Sequence, residues 1–373
     1  MNKKIIILFL STIFLVCIII SKINVKQFND INDEDSKEEF QWYIENLGEF
    51  KIQQPNVLAW GNDEYVCSYG VDINYHNNEL KETDKKVVIA VIDTPIYIGK
   101  NHFAKYIWQN DYEISNDLID NDKNNYVDDK FGWNFCNNSS NISSKDIELT
   151  EHATFINGML LGKNKEYLSI LGNNSNISIM SLVVMDKYEE YTDIKNIVNA
   201  ILYAEENGAK ICNISLAIYE NYSELKDVME KSNMLFVVAA GNDGMNISET
   251  DKCYPSLYKL DNVISVADIR CDGKLSKTSN YGNYVDIAAP GTDILSIYGD
   301  KEYTFKSGTS FSAAIVTACA ALLYSKSKSD ISPYEVKKII NQTCVKTSDL
   351  KGKVACGGYI NFDEAIKVVT DDR

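Results

Sequence analysis

Lys306 to Ser325 reads KSGTSFSAAIVTACAALLYS, a small polar segment that passes straight into a run apolar on every side. From Ala313 to Tyr324 only Thr317 is polar, and a helix-length run that apolar all round belongs inside a large domain. The stretch therefore predicts a buried central helix around which the rest of the chain is built. Gly308 permits a tight turn ahead of it, and Ser310 falls in or near the first helical turn, where unpaired backbone N–H groups favour developing negative charge. A serine so placed is a candidate nucleophile. Ser307, Thr309, Ser310 and Ser312 would serve equally well as plain helix caps, so the remainder of the chain has to decide.

With 373 residues and 45% hydrophobic content the chain can hold a substantial core. A formal charge of −16 argues against a nucleic-acid partner and sets up a field that attracts basic peptides. Residues 1–26 read as a signal peptide or signal anchor: Lys3 and Lys4 precede an uncharged run from Ile5 to Ser21, and Lys22 and Lys26 follow. The run falls within the range of roughly 17 to 25 residues that spans a bilayer. Cleaved or retained, it implies an extracytoplasmic protein, secreted or membrane-anchored. Residues 27–40 form a polar stalk. Eight of the nine cysteines lie beyond the targeting run without a C-x-x-C pair, which leaves structural zinc unsupported. Cys212 and Cys319 sit in apolar runs as small core residues; Cys344 with Cys356, or Cys253 with Cys271, are candidate bridges.

The middle of the chain alternates strand and helix. Val87 to Ile92 is a short β-branched run closed by Asp93, in the manner of a buried parallel strand, and the carboxyl ends of such strands are where catalytic groups collect. Of three histidines, His152 alone opens an apolar stretch, HATFINGMLLG, which predicts a buried helix. Strands follow at Ile177–Val184, Ile211–Leu216 and Leu235–Ala240, with helices over Asp193–Asn207 and Ser223–Lys231. This rhythm predicts a three-layer α/β fold, a mostly parallel sheet with helices on both faces. After Val238 the sequence AAGNDG lets Gly241 and Gly244 turn the backbone around Asn242, whose side-chain amide is suited to an oxyanion. Ser332-Pro333-Tyr334-Glu335 is a capping box that opens a helix to about Gln342, and the tail GGYINFDEAIKVV adds an amphipathic turn or two. Within Asp120 to Asp129, Asp120, Asp122, Asn124 and Asp128 fall at positions one, three, five and nine of a calcium loop, with Tyr126 offering a carbonyl at seven. Asn125 stands for the usual glycine and no glutamate closes the loop, so an acidic solvated loop is the rival reading.

Acyl transfer by serine needs a base, a carboxylate to orient it and donors for the oxyanion, and the chain supplies them in the order Asp93, His152, Asn242, Ser310. VVIAVIDT, HATFING, VVAAGNDG, AAPGTDILS and SGTSFSAA resemble, in that order, the marker segments of the subtilisin-like serine proteases, the subtilases (peptidase S8). QWYIENLG, YGVDIN, LIDNDKNNYVDDKFGWNF, NGAKICNISL, YPSLYKLDNVISVA and CGGYINFDEAI extend the resemblance, making 41–373 the expected peptidase domain. It implies a subtilisin-like fold and a serine endopeptidase in which Asp93 orients His152, His152 acts as base and then acid, and Ser310 attacks. The Ser310 amide and Asn242 hold the oxyanion, while Ser215, Leu216 and Ala217 pair with an extended substrate. Ala240 and Gly241 line the pocket for the residue before the cut, and Asp243 at its rim favours a basic side chain. No cofactor is implied for the chemistry, and calcium would be structural.

The chain departs from the family pattern at Pro95, Ala153, Phe155, Ala217 and Ala314, none of them a triad member. The stalk is shorter than a folded prodomain. That architecture resembles processing proteases that remove leader peptides from lantibiotic-type precursors, which makes a bacteriocin-type precursor the expected substrate. The alternative is a catalytically impaired subtilase-like scaffold that binds a peptide or protein without cutting it. A lipase or esterase is a weaker reading, since the nucleophile lacks a G-x-S-x-G elbow.

Overall fold

Short runs, most of them rich in β-branched residues, form nine strands of one sheet: β1 (Val87–Asp93), β2 (Gly132–Asn134), β3 (Ile177–Val183), β4 (Ile211–Ile214), β5 (Leu235–Ala239), β6 (Val263–Ile269), β7 (Ile287–Pro290), β8 (Val345–Lys346) and β9 (Gly358–Tyr359). The computed structural model describes residues 85–98, 104–161, 169–171, 176–185, 191–248, 252–299 and 302–371, with the backbone of three further strands, Lys4–Ile6, Phe50–Ile52 and Tyr65–Cys67. Apart from those strands, the targeting run, the stalk, QWYIENLG and YGVDIN lie outside the described residues. The sheet order is β8-β9-β7-β6-β5-β4-β1-β3-β2. Neighbours run parallel throughout except β8 and β9, which pair antiparallel through Val345↔Tyr359 and Lys346↔Gly358.

Successive side chains of a strand point to opposite faces, and both faces of this sheet are covered. Ile89 and Val91 face a core built with α1 (Ile147–Leu160), α4 (Thr309–Lys326) and α6 (Phe362–Thr370), whereas Ala90 and Ile92 face a second core built with α2 (Ile194–Glu206) and α3 (Ser223–Lys231). The three-layer α/β expectation is met. Because each buried aliphatic side chain contributes about 1.5–3 kcal/mol relative to exposure, the two-sided sheet supplies the rigid platform for the residues at its edge. Helix boundaries follow the local signals. Asp193 caps α2 with its carboxylate on the Lys195 amide, and Ser332 and Glu335 complete the capping box of α5 (Pro333–Thr343). The predicted strands at Leu216 and Ala240 stop earlier, at Ile214 and Ala239.

Every residue of α4 from Thr309 to Ser325 is buried. Among the described residues it is the one helix long and apolar enough to cross a membrane, and 94% of that stretch is covered by the protein itself, so it is a core helix. Cys212 and Cys319 are wholly buried, and burial pushes both thiols up. The suggested Cys253–Cys271 bridge is not formed: Cys271 is disulfide-bonded, while the Cys253 thiol donates to the Ala240 carbonyl at 3.1 Å. Cys344 and Cys356 lie together as thiols rather than as a disulfide.

Candidate active site

The carboxyl ends of β1, β4 and β5 bring separate loops to one edge of the sheet. Asp93, the last residue of β1, is 1% exposed, and a carboxylate withdrawn from water has to be hydrogen-bonded. Its Oδ1 accepts from the Thr94 amide at 2.7 Å, and its two oxygens lie 2.8 and 2.9 Å from His152 Nδ1. An acceptor-only carboxylate at that distance requires Nδ1 to carry the hydrogen, and in the neutral imidazole Nε2 is then the proton acceptor. His152 stands in the middle of α1, packed against α4, with 14% of its side chain exposed. The Thr94 hydroxyl is reached by the Ala153 amide at 3.3 Å, so the loop after β1 is tied to the helix that carries the imidazole.

Ser310 is the second residue of α4 and is 8% exposed. Gly308 caps the helix at φ 155° and ψ 160°, a region open almost only to glycine. Its amide donates to the Gly291 carbonyl at 2.8 Å. Phe311, the next residue after the serine, has its ring 6.1 Å from that of His152 and 4.6 Å from that of Phe155. The two helices thus meet through an aromatic contact beside the candidate base and nucleophile.

Asn242 is fixed by its neighbours. Its Oδ1 accepts from the Thr309 amide at 2.9 Å and the Thr309 hydroxyl at 3.1 Å. Since a backbone amide only donates, the atom facing it is the oxygen, and Nδ2 remains available as a donor. A Cβ added to Gly308 would lie 3.4 Å from that nitrogen. The donor therefore lies beside the N-cap of α4, the end where the first backbone N–H groups of the helix lack intrahelical partners. Gly241, at φ 97°, allows the turn, and a Cβ there would strike Asn280 Nδ2 at 2.5 Å and Cys253 Sγ at 2.8 Å.

The residues expected to contact substrate lie around this point. Ser215 Oγ donates to the Ser310 carbonyl at 3.3 Å, Leu216 is buried, and Ala217 is half-buried just before Ile218 bridges Tyr254. Asp243 accepts from the Tyr219 hydroxyl at 3.1 Å and from Asn280 Nδ2 at 3.0 Å. Burial and the adjacent Asp243 charge together push the Tyr219 hydroxyl up, so it stays a donor. Tyr219, Asn280 and Thr309 carry no sequence signal of these roles, because each acts through a partner distant in the chain.

At the far edge of the sheet, carboxylate oxygens of Glu113, Asp120 and Asp122 lie within 4.8 Å of one another. Glu113, 3% exposed, was not among the expected ligands; it precedes the motif and meets it only in three dimensions. Its Oε1 accepts from the Asn121 and Asp122 amides. Asn124 donates from Nδ2 to Asp122 and Asp129. The Asp128 carboxylate is turned away, accepting from the Asp117 and Leu118 amides at 3.1 and 3.2 Å. An all-oxygen carboxylate set of this kind fits a hard divalent cation.

A sequence model described as the subtilase family matches residues 84–358. The thermophilic serine proteinase of Bacillus sp. (strain AK1) is 30% identical over 220 residues, which cover 58% of this chain and 51% of that protein. Thermitase of Thermoactinomyces vulgaris is 30% identical over 239 residues, 63% of this chain and 80% of thermitase. Subtilisin-like protease 1 of Plasmodium falciparum is 29% identical over 340 residues, 84% of this chain and 48% of that protein; the chain thus spans about half the length of several curated relatives it matches. Among solved structures, the prenylagaramide maturation protease PagA superposes with a TM-score of 0.61 at 21% identity, covering 82% of this chain and 99% of PagA. A point mutant of the PatA protease domain gives 0.60 at 20% identity, covering 78% of this chain and 98% of that domain.

Proposed function

The chain belongs to the subtilase family, and from that premise we propose that it is a serine endopeptidase in which Asp93, His152 and Ser310 are the catalytic triad. The observation that carries the reading is the pair of 2.8 and 2.9 Å contacts from Asp93 to His152 Nδ1, on the helix packed against the one that Ser310 opens. Asp93 holds the imidazole with Nε2 unprotonated; Nε2 takes the Ser310 proton as Oγ attacks the scissile carbonyl, then gives it to the leaving amine. The Ser310 amide and Asn242 Nδ2 receive the oxyanion, and preorganised donors of this kind are commonly the largest electrostatic contribution to acyl transfer. Removing one is expected to lower kcat about 10²–10³-fold. The contact of Asp93 with His152, and that of Asn242 with Thr309 next to Ser310, favour catalysis over the peptide-binding scaffold.

The substrate proposed is a peptide precursor cut at a restricted set of sites. Two solved neighbours bear on this: PagA is a maturation protease, and the PatA protease domain is self-cleaved in a second structure. A bacteriocin-type leader is the specific candidate, with Asp243 favouring a basic residue before the cut. Ser215, Leu216 and Ala217 would align the chain of the substrate, with Ala240 and Gly241 lining the pocket. The domain is taken to span 41–373, outside the cytoplasm, behind a signal or anchor at 1–26. Glu113, Asp120 and Asp122 would hold a structural calcium with Asn124 beside them, contributing stability and no chemistry.

The test is labelling of the protein with a fluorophosphonate probe beside Ser310→Ala. Label on the wild type that is lost in the variant is expected. A folded wild type that takes no label would overturn the enzyme reading in favour of the scaffold.

A further inference from the structure

Asp268 has no part in the chemistry above, yet it is a carboxylic acid at 0% exposure on β6, in a sheet buried on both faces. Apolar residues normally fill such a position, and a buried carboxyl is costly unless something holds it. The Thr292 hydroxyl lies 3.1 Å from each of its oxygens, the Ser276 hydroxyl is a further partner, and its own amide donates to Ser279 Oγ at 2.8 Å. Burial drives its carboxyl well above the usual carboxylate range; Asp293 adds to that and Arg270 opposes it.

What this carboxyl supports is the turn after β7. A Cβ added to Gly291 would lie 2.7 Å from Asp268 Oδ1 and 2.1 Å from Ser312 Oγ, so the turn is wedged between the carboxyl and the first turn of α4. β7 and the turn after it together hold the start of α4 at three points. The Gly291 carbonyl accepts from the Gly308 amide at 2.8 Å, the Ala289 carbonyl accepts from the Ser312 hydroxyl at 3.0 Å, and the Asp293 amide donates to Ser307 Oγ at 2.9 Å. Ser310 lies between the gripped residues.

We propose that Asp268 is a positioning residue for the nucleophile: it fixes the Gly291–Thr292 turn from below, and through that turn it sets where the hydroxyl and amide of Ser310 stand. The inference rests on the reading of Ser310 as nucleophile. Neither Asp268 nor Thr292 touches the reacting atoms.

The experiment compares the wild type with Asp268→Ala, Asp268→Asn, Thr292→Val and the Ala/Val double variant, reading kcat and KM on a fluorogenic peptide and the rate of fluorophosphonate labelling. Asp268→Ala is expected to lower kcat about 10- to 100-fold at nearly constant KM, the scale of a ~1 Å misplacement. Asp268→Asn, of the same shape and with an acceptor for Thr292, is expected to restore most of the rate. Thr292→Val should resemble Asp268→Ala, and the double variant should be no worse than the more impaired single. A folded Asp268→Ala with wild-type kcat, a loss confined to KM, additive losses in the double variant or an Asn variant as impaired as Ala would each overturn the proposal. Should the Ala variant fail to fold, Thr292→Val at wild-type kcat is the refuting result. A wild type that takes no label refutes the protease reading itself, whereas equal labelling of wild type and a folded Asp268→Ala refutes the positioning role alone.

Discussion

Lys306→Met is the substitution whose outcome follows most directly from the geometry. Lys306 Nζ lies 2.6 Å from Glu151 Oε1, with 16% and 5% of the two side chains exposed. Glu151 immediately precedes His152, and Lys306 ends the hairpin strand Glu302–Lys306 that leads into α4. The pair therefore joins the segment bearing the candidate base to the segment bearing the candidate nucleophile. At 2.6 Å the attraction is about 6 kcal/mol with an effective dielectric of ~20, but taking both charges out of water offsets most of it. Glu151 Oε1 makes no aligned hydrogen bond, so the contact is charge attraction more than a directed bond. Removing one partner is not symmetrical with forming the pair, because a buried carboxylate is then left without its cation. That loss is expected to be about 3–5 kcal/mol, a large part of a typical folding stability of about 5–15 kcal/mol. Urea unfolding followed by circular dichroism measures it. The double variant Glu151→Leu/Lys306→Met should recover most of the loss, since an apolar pair of similar volume carries no desolvation penalty. A single variant with the wild-type midpoint and slope, or a double variant no better than the single, would refute the reasoning.

Asn242→Ala is expected to lower kcat about 10²–10³-fold with little change in KM, because an oxyanion donor acts chiefly on the transition state; steady-state kinetics on a peptide substrate decide it. Asp268→Asn should also change the pH dependence of stability. A carboxyl whose folded pKa is raised binds protons more tightly in the native state, so its contribution is present at low pH and is lost as pH rises from the ordinary carboxylate value of 3.8 through the raised native value. The Asn variant removes that loss, so its stability relative to the wild type should rise with pH across this window in urea titrations, and a constant difference would count against it. For the calcium site, millimolar calcium should raise the melting temperature, EDTA should reverse the gain, and Asp122→Asn should abolish the response; a melting temperature indifferent to all three would remove the site.

Where the sequence was legible, the signal was local. The β-branched run ending in Asp93, the all-round apolar α4 behind Gly308 and the paired glycines around Asn242 each declare their conformation within about ten residues, and the topology then brings them to one sheet edge. Glu113 was not legible, because it meets Asp120 and Asp122 only once its side chain has accepted the amides of Asn121 and Asp122. Asp128 fitted a calcium-loop spacing, but with φ at 59° its carboxylate caps the amides of Asp117 and Leu118 instead. The antiparallel β8–β9 edge rests on two-residue strands, too short for any alternation to show. Asp268 stands in the run VISVADI, where a charged residue reads as a surface position until both faces of the sheet are seen to be covered.

The departures from the family pattern acquire a physical account once the helices are placed. Phe155 stands one turn along α1 from His152, is wholly buried, and packs its ring 4.6 Å from Phe311. It fills the seam between the base-bearing and nucleophile-bearing helices with apolar surface, and aromatic pairs in such contact contribute about 0.5–1.5 kcal/mol beyond their burial. Ala314 is likewise wholly buried within α4. Pro95 follows Thr94, and the strand edge continues beyond it through the Ile96 amide to the Ile142 carbonyl at 3.0 Å. None of these residues intervenes in the hydrogen bonds from Asp93 to His152 or from Thr309 to Asn242. Phe155 and Ala314 sit in the packing of the two helices and Pro95 in the loop after β1, and the hydrogen bonds of Asp93 with His152 and of Thr309 with Asn242 are present beside them.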